Sequence, residues 1–266
     1  MTNSFSSVLK LYLLILKILI EMNLDRLNKS NNPMIKEEVL RENMTNNRQE
    51  VMTVQGGVNK SFLLFGVLLM TFYVGYASPS PLFMYGGMIG GFIVSIIASR
   101  DLKRSNIWAP LFAGLYGLAI GAISNYYNAR FDGIVFHAVT ITFAIFFTML
   151  TLFKSGLITV TEKFRSIIMM ATGAIMLLYI VSFVLSMFSI NMPFLHEQSM
   201  MGIGISGVIV VIASLKLLVD FDNFEKGEQF GSPKYMEYYI AMGLLFTMIW
   251  LYTEILWLLS AVMSGD

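Results

Sequence analysis

Tyr239-Ile-Ala-Met-Gly-Leu-Leu-Phe-Thr-Met-Ile-Trp-Leu-Tyr-Thr-Glu-Ile-Leu-Trp-Leu-Leu-Ser-Ala-Val262 decides how this chain is read. Its apolar length matches the roughly 20 residues that a helix needs to cross a bilayer. One residue breaks the pattern. Glu254 is the sole acidic residue well inside any of the long apolar stretches. A carboxylate near the bilayer centre costs at least about 2.5 kcal/mol on insertion scales, so it faces a bundle interior and has a partner or a task. The nearest acidic candidates, Asp220 and Asp222, close the preceding apolar stretch in Leu218-Val-Asp-Phe-Asp-Asn-Phe-Glu-Lys-Gly227.

Composition agrees with a membrane protein. The 266 residues are 56% hydrophobic and 13% charged, where a soluble domain carries about 25% charged residues. Absence of cysteine excludes disulfides, thiolate metal sites and cysteine nucleophiles. A net charge of +1 gives no reason to expect a nucleic-acid partner; the expected partner is the lipid bilayer.

Apolar runs of spanning length occur at Phe62–Ser78, Leu82–Ser99, Trp108–Asn125, Ile134–Phe153, Ser166–Phe188, Met201–Val219 and Tyr239–Met263. Pro79-Ser-Pro81 joins the first two as a helical hairpin. In lipid every backbone polar group must be satisfied internally, which leaves helices or a closed barrel. Continuous apolarity without period-two alternation selects helices. The expected fold is an all-α polytopic membrane protein with seven transmembrane helices.

Lysine and arginine bias sets the expected orientation. Arg48 and Lys60, then Arg100, Lys103 and Arg104, then Lys154, Lys163 and Arg165, then Lys226 and Lys234 fall on one side of the alternating spans. Arg130 alone lies on the other. This predicts a cytoplasmic N-terminus and an external C-terminus.

Residues 1–60 are expected to form a cytoplasmic tail and residues 61–264 the seven-helix domain. Val8–Ile20 carries Lys10 and Lys17 on one helical face, with no small-residue cleavage site after it. It reads equally as an interfacial amphipathic helix or as an artefact of start-site choice, with Met22 or Met34 the true start. Asn23–Glu50 is Asn-rich and charged, which reads as a flexible segment.

Two motif matches fail on context. Gly202-Ile-Gly-Ile-Ser-Gly207 is a literal GxGxxG, but no strand precedes it and no acidic residue sits at ribose distance. Ser206 in the same stretch resembles a rhomboid-type protease serine, which needs its histidine on a later span; His137 and His196 both come earlier. Small residues for close helix packing remain the reading here, for Gly86-Gly-Met-Ile-Gly-Gly91, and for Gly114, Gly117 and Gly121. His137 is expected to be a neutral histidine hydrogen-bonded inside the bundle, with a ligand or proton-relay role as the alternative. No nucleophile–base pair or metal-ligand cluster suggests an enzyme, and no cofactor is implied.

Three readings compete for Glu254. It is neutral through burial, locked in a structural hydrogen bond or ion pair, or sharing a site with Asp220 or Asp222, where two carboxylates compete for protons and a cation. Calcium prefers such oxygen ligands. Lys216 lies one turn before Asp220, at a spacing that lets the two side chains meet. A local ion pair is therefore the rival reading for Asp220.

Several motifs together resemble the bacterial branch of the Bax inhibitor-1 family. They are Met52-Thr-Val-Gln-Gly-Gly-Val-Asn-Lys-Ser61, Gly121-Ala-Ile-Ser-Asn-Tyr-Tyr127, Gly133-Ile-Val135, Thr161-Glu-Lys-Phe-Arg165 and Ala171-Thr-Gly173. The most specific are Asp220-Phe-Asp222, Gly231-Ser-Pro-Lys-Tyr-Met-Glu237 and Trp250-Leu-Tyr-Thr-Glu-Ile-Leu256. The likeness runs from about Asn31 to Val262. It implies a last helix wrapped by the other six, in a multi-pass protein of the bacterial plasma membrane. It also implies that carboxylates on helices six and seven form a proton-sensitive latch over a calcium leak pathway. On this sequence the latch falls on Asp220 and Glu254, with Asp222 as the alternative on helix six. Arg100 or Arg104 would take the place of the basic partner. Departures are a glutamate where much of the family has aspartate, a loop from Asn223 to Lys234 that reads as longer than in compact members, and Lys216, which lies outside the family pattern. The resemblance also implies an alternative, a non-transporting membrane interaction protein that modulates a membrane protease or another membrane-protein partner.

Overall fold

Each of the seven apolar runs is a helix in the computed structural model, which describes residues 50–188 and 200–264. Helix α1 spans Val54–Ala77, α2 Leu82–Arg100, α3 Ser105–Asn128 and α4 Ile134–Lys154. The rest are α5 (Glu162–Met187), α6 (Met200–Gln229) and α7 (Met236–Met263). All seven are long and apolar enough to cross a membrane. The expectations for Val8–Ile20, for the segment from Asn23 up to residue 49 and for His196 lie outside the described residues.

Helix α7 is the axis. It packs against α1, α3, α4 and α6, and fifteen of its 28 residues are buried, against four of 24 in α1 and three of 21 in α4. An apolar side chain gains nothing from leaving lipid for a protein core, so what holds such a helix is close packing and polar contacts. Ser124 on α3 supplies one, sharing a 2.7 Å hydrogen bond with Tyr252 of α7. Helix α5 is the opposite case. It packs on α6, and among its described residues only Ile168 and Ile175 are buried.

The small-residue faces do what the sequence suggests between α1 and α3. A methyl group added at Gly121 would lie 2.1 Å from the Phe72 carbonyl oxygen, and one at Gly75 2.2 Å from that of Leu118. Backbone meets backbone there. The expectation fails in α6, where Gly204 and Gly207 have nothing within 4 Å of an added methyl group.

Two boundaries need correction. Residues 50–60 are not tail. Helix α1 starts at Val54 rather than Phe62, capped by the Thr53 hydroxyl, which accepts from Gly56 N at 2.9 Å. The segment before it is anchored by Met52 N donating to Ser232 O at 2.8 Å and Lys234 N donating to Glu50 O at 2.7 Å. Similarly, α6 does not end at Val219. Nothing in Asp220–Lys226 breaks a helix, so it continues to Gln229, and most of the supposed long loop is helical. Gly231, at φ +62°, then reverses the chain in a conformation few other residues adopt.

Candidate functional site

The extension of α6 carries Asp220 into the bundle. Its residue is 2% exposed. Lys216, one turn earlier, donates an ion-paired hydrogen bond to Oδ1. Thr247 of α7 donates to Oδ2 at 2.6 Å. The carboxylate is thus satisfied by one cation from its own helix and one hydroxyl from the next. A cavity of about 340 Å³ opens beside it, lined by Lys216, Asn223, Thr247, Trp250 and, from α5, Thr172. The Thr172 hydroxyl is buried without a hydrogen-bond partner.

Glu254 sits in a different environment. It is 4% exposed, and its carboxylate accepts from Tyr179 of α5 and, at 3.3 Å, from Ser206 of α6. The indole nitrogen of Trp250 lies near these groups without completing a hydrogen bond of ordinary geometry. No side chain with a full positive charge holds it among the described residues.

Asp220 and Glu254 are not brought together. Thr247, which touches Asp220, precedes Glu254 by seven residues, about 10 Å along a helix axis. The two acids have separate hydrogen-bond partners in this arrangement. Of the two possibilities for Asp220, Lys216 has the aspartate. Among the described residues no three His, Cys, Asp or Glu side chains are grouped as metal ligands.

Asp222 is partly buried and pairs with Arg165 at the start of α5, whose second nitrogen donates to Asn223 Oδ1 at 2.7 Å. Lys226 bridges Asp222 at 3.3 Å and Glu162 at 2.7 Å. This cluster clasps the end of α5 to α6. It also corrects the expected basic partner. Arg100 is exposed, and Arg104, 69% exposed, pairs with Asp101 of its own turn at 3.7 Å. Neither reaches the α6 acids, because α2 meets α3 while the start of α5 lies against the α6 extension.

His137 is also misplaced by sequence reasoning. It is hydrogen-bonded, its Nδ1 lying 2.8 Å from Gly133 O, but it faces out of the bundle. The first turn of α4 buries Ile134 and Ala138 instead.

A family model described as Bax inhibitor 1 like matches residues 32–264. The chain belongs to that family. Neither the curated proteins nor the solved structures yield a match. Two of the segments quoted above, Met52–Ser61 and Gly231–Glu237, prove to be contact partners here. Glu237, closing the segment that begins at Gly231, accepts from Thr53 N at 3.1 Å, and Glu228 accepts from Val54 N at 3.1 Å. Both carboxylates sit where the amide groups and dipole of α1 favour negative charge. Gly56 is small for the same reason, since a methyl group there would lie 2.0 Å from the Glu237 carboxylate.

Sequence reasoning missed Tyr179, Ser206, Thr247 and Arg165 as partners of the acids. Thr247 had a signal, being two turns before Glu254 and so near the same α7 face. Arg165 stood in a quoted motif and was counted only as a flanking charge. Tyr179 had none, because nothing in an apolar run says which tyrosine will cross to another helix.

Proposed function

We propose that this Bax inhibitor-1-like protein is a pH-sensitive calcium leak of a bacterial plasma membrane, gated by Asp220 on α6 and Glu254 on α7. The observation that carries the reading is a pair of buried carboxylates on adjacent membrane-spanning helices, one of them beside a cavity of about 340 Å³. Acids inside spanning helices are costly, and ion and proton pathways are where such residues are used.

In this reading the arrangement described is a closed one. Each acid is held by donors from other side chains rather than by a passing cation. Lys216, Thr247 and, at longer range, Arg165 face Asp220. Tyr179, Ser206, Trp250 and, at longer range, Tyr127 face Glu254. Protonation changes what these donors hold, from an anion to a neutral acid, and so changes how firmly α5, α6 and α7 are tied. Opening requires the two clusters to loosen so that oxygen atoms become available to a hard cation.

The test is calcium flux into proteoliposomes across a pH series. Glu254→Gln and Asp220→Asn each remove one titrating group while keeping its shape, and each is expected to flatten the pH response. Flux and pH response both unchanged in the two variants would sink the reading. Wild-type flux no greater than that of empty liposomes would favour the alternative, a non-transporting protein that acts through a membrane-protein partner.

A further inference from the structure

Glu50-Val-Met-Thr53, just ahead of α1, is too short to hold a fixed course alone. Its course is set by the elbow that joins α6 to α7. Val51 and Pro233 form an isolated antiparallel bridge, flanked by Met52 N donating to Ser232 O and Lys234 N donating to Glu50 O. Two carboxylates of the same elbow reach the next amides, Glu237 accepting from Thr53 N and Glu228 from Val54 N. The backbone donors from Met52 to Val54 are thus held in turn by the elbow, by α7 and by α6.

Met52 is the wedge. It is 1% exposed, and a methyl group added at Gly227, near the end of α6, would lie 2.5 Å from its sulfur and 3.2 Å from Ile240 of α7. The side chain fills the notch where the two helices converge. Phe224, three residues earlier on α6, lies against α1 in the same way, since a methyl group at Gly57 would be 2.4 Å from its ring. The rest of the segment stands in the open: Val51 is 54% exposed, and the Glu50–Lys234 ion pair is exposed on both sides. One buried side chain and a few peripheral hydrogen bonds make up the contact. Segments held in that way open at a free energy well below that of global unfolding.

We infer that Glu50–Thr53 is a releasable strap that holds the α6–α7 elbow closed, so that its release loosens the α6 extension beyond Asp220 from α1 and α7. The extension is the part of α6 that depends on tertiary support. It carries Asn223 and Asp222, which hold Arg165 of α5, and it directly follows Asp220, which holds Thr247 of α7. Opening the strap therefore reaches the contacts that tie α5, α6 and α7 without unwinding a membrane span. The inference concerns which part of the molecule opens, and it stands apart from whether any ion is conducted.

The chain has no cysteine, so Val51→Cys/Pro233→Cys introduces a single pair of thiols. Residues that face each other between the flanking hydrogen bonds of an antiparallel pair have Cα atoms about 4.5 Å apart. A disulfide spans about 4.4–6.8 Å. Hydrogen–deuterium exchange of the full chain in nanodiscs is read in peptides covering residues 221–235, with peptides from α2 and α4 as controls. The oxidised pair is expected to slow exchange in 221–235 at least about tenfold relative to the reduced pair, since locking the strap removes the local opening. Reductant should restore the faster exchange, and the controls should not move. Met52→Ala, which removes the wedge, should speed exchange in the same peptides and leave the controls unchanged. Should Met52→Ala fail to fold, the oxidised and reduced forms of the cysteine pair carry the test by themselves.

Equal exchange in the oxidised and reduced forms would overturn the inference, because a strap that never leaves gains nothing from being locked. So would an oxidant that fails to link the pair. A Met52→Ala effect spread evenly over α2 and α4 would also overturn it, since Met52 would then support the whole bundle rather than the elbow.

Discussion

Asp220 and Glu254 meet the same difficulty, a carboxylate out of reach of bulk water, with different chemistry. Asp220 is met by the ammonium of Lys216 on its own helix and by Thr247. Glu254 is met by the neutral donors Tyr179 and Ser206, on two other helices. The first cluster is nearly self-contained and follows α6 wherever it goes. The second depends on where α5 lies, and α5 is the least embedded helix in the bundle. A displacement of α5 is therefore felt at Glu254 through Tyr179 and only indirectly at Asp220. The bundle holds one charge-balanced acid and one geometry-dependent acid.

Breaking the charge balance should give the largest effect. Lys216→Met strands a buried carboxylate, a change that costs about 3–5 kcal/mol when one partner of a buried pair is removed. Thermal unfolding in detergent should show a large fall in stability, and Lys216→Met combined with Asp220→Asn should recover most of it. Equal losses in the single and double variants would mean that the pairing is not what matters there.

A smaller effect is expected on the other side of the comparison. Tyr179→Phe removes one neutral donor from Glu254 and should cost about 1–3 kcal/mol, the range for a buried acceptor that loses its hydrogen bond. It should also displace the pH response of calcium flux, while Lys216→Gln/Tyr179→Phe should show additive losses in stability, since the clusters have no partner in common. Strong non-additivity would show that the two acids are coupled after all.

The smallest effect belongs to the exposed pair of Glu50 and Lys234, outside the spans. Lys234 holds the Glu50 carboxyl below its ordinary value of 4.5, by hydrogen bond and by charge. A depressed acid contributes stability above its unfolded value and loses it as pH falls through the folded one. Thermal unfolding should therefore place Glu50→Gln slightly below wild type at neutral pH, with the gap closing as pH falls below 4.5. A gap that widens in acid would reverse the assignment.

Much of the architecture was legible because lipid imposes a simple rule. Every spanning segment must close its own backbone hydrogen bonds, so long apolar runs are helices whatever surrounds them. Leu82–Ser99 and Ile134–Phe153 needed no tertiary information to be found. The boundaries that went astray lie where that rule weakens, at the ends of spans. Val54–Ser61 and Asp220–Gln229 are helical through tertiary contacts, the first capped by Thr53 and Glu237, the second held by Arg165 and by packing of Phe221 and Phe224. Polar composition alone looks the same in a tail, a loop and a buttressed helix.

Within the site the division follows from distance along the chain. Lys216 and Asp220 are four residues apart on one helix, so their meeting is a matter of helical geometry and was visible in the spacing. That Glu254 is anomalous, and that it needs a partner, follows from hydropathy alone. Which partner it takes does not. Tyr179 is 75 residues away and Ser206 is 48, and contacts across such separations depend on how helices are rotated and stacked. No local pattern encodes that rotation. Packing of α5 and α6 around α7 settles it, and it gave Glu254 to a tyrosine and a serine rather than to Asp220.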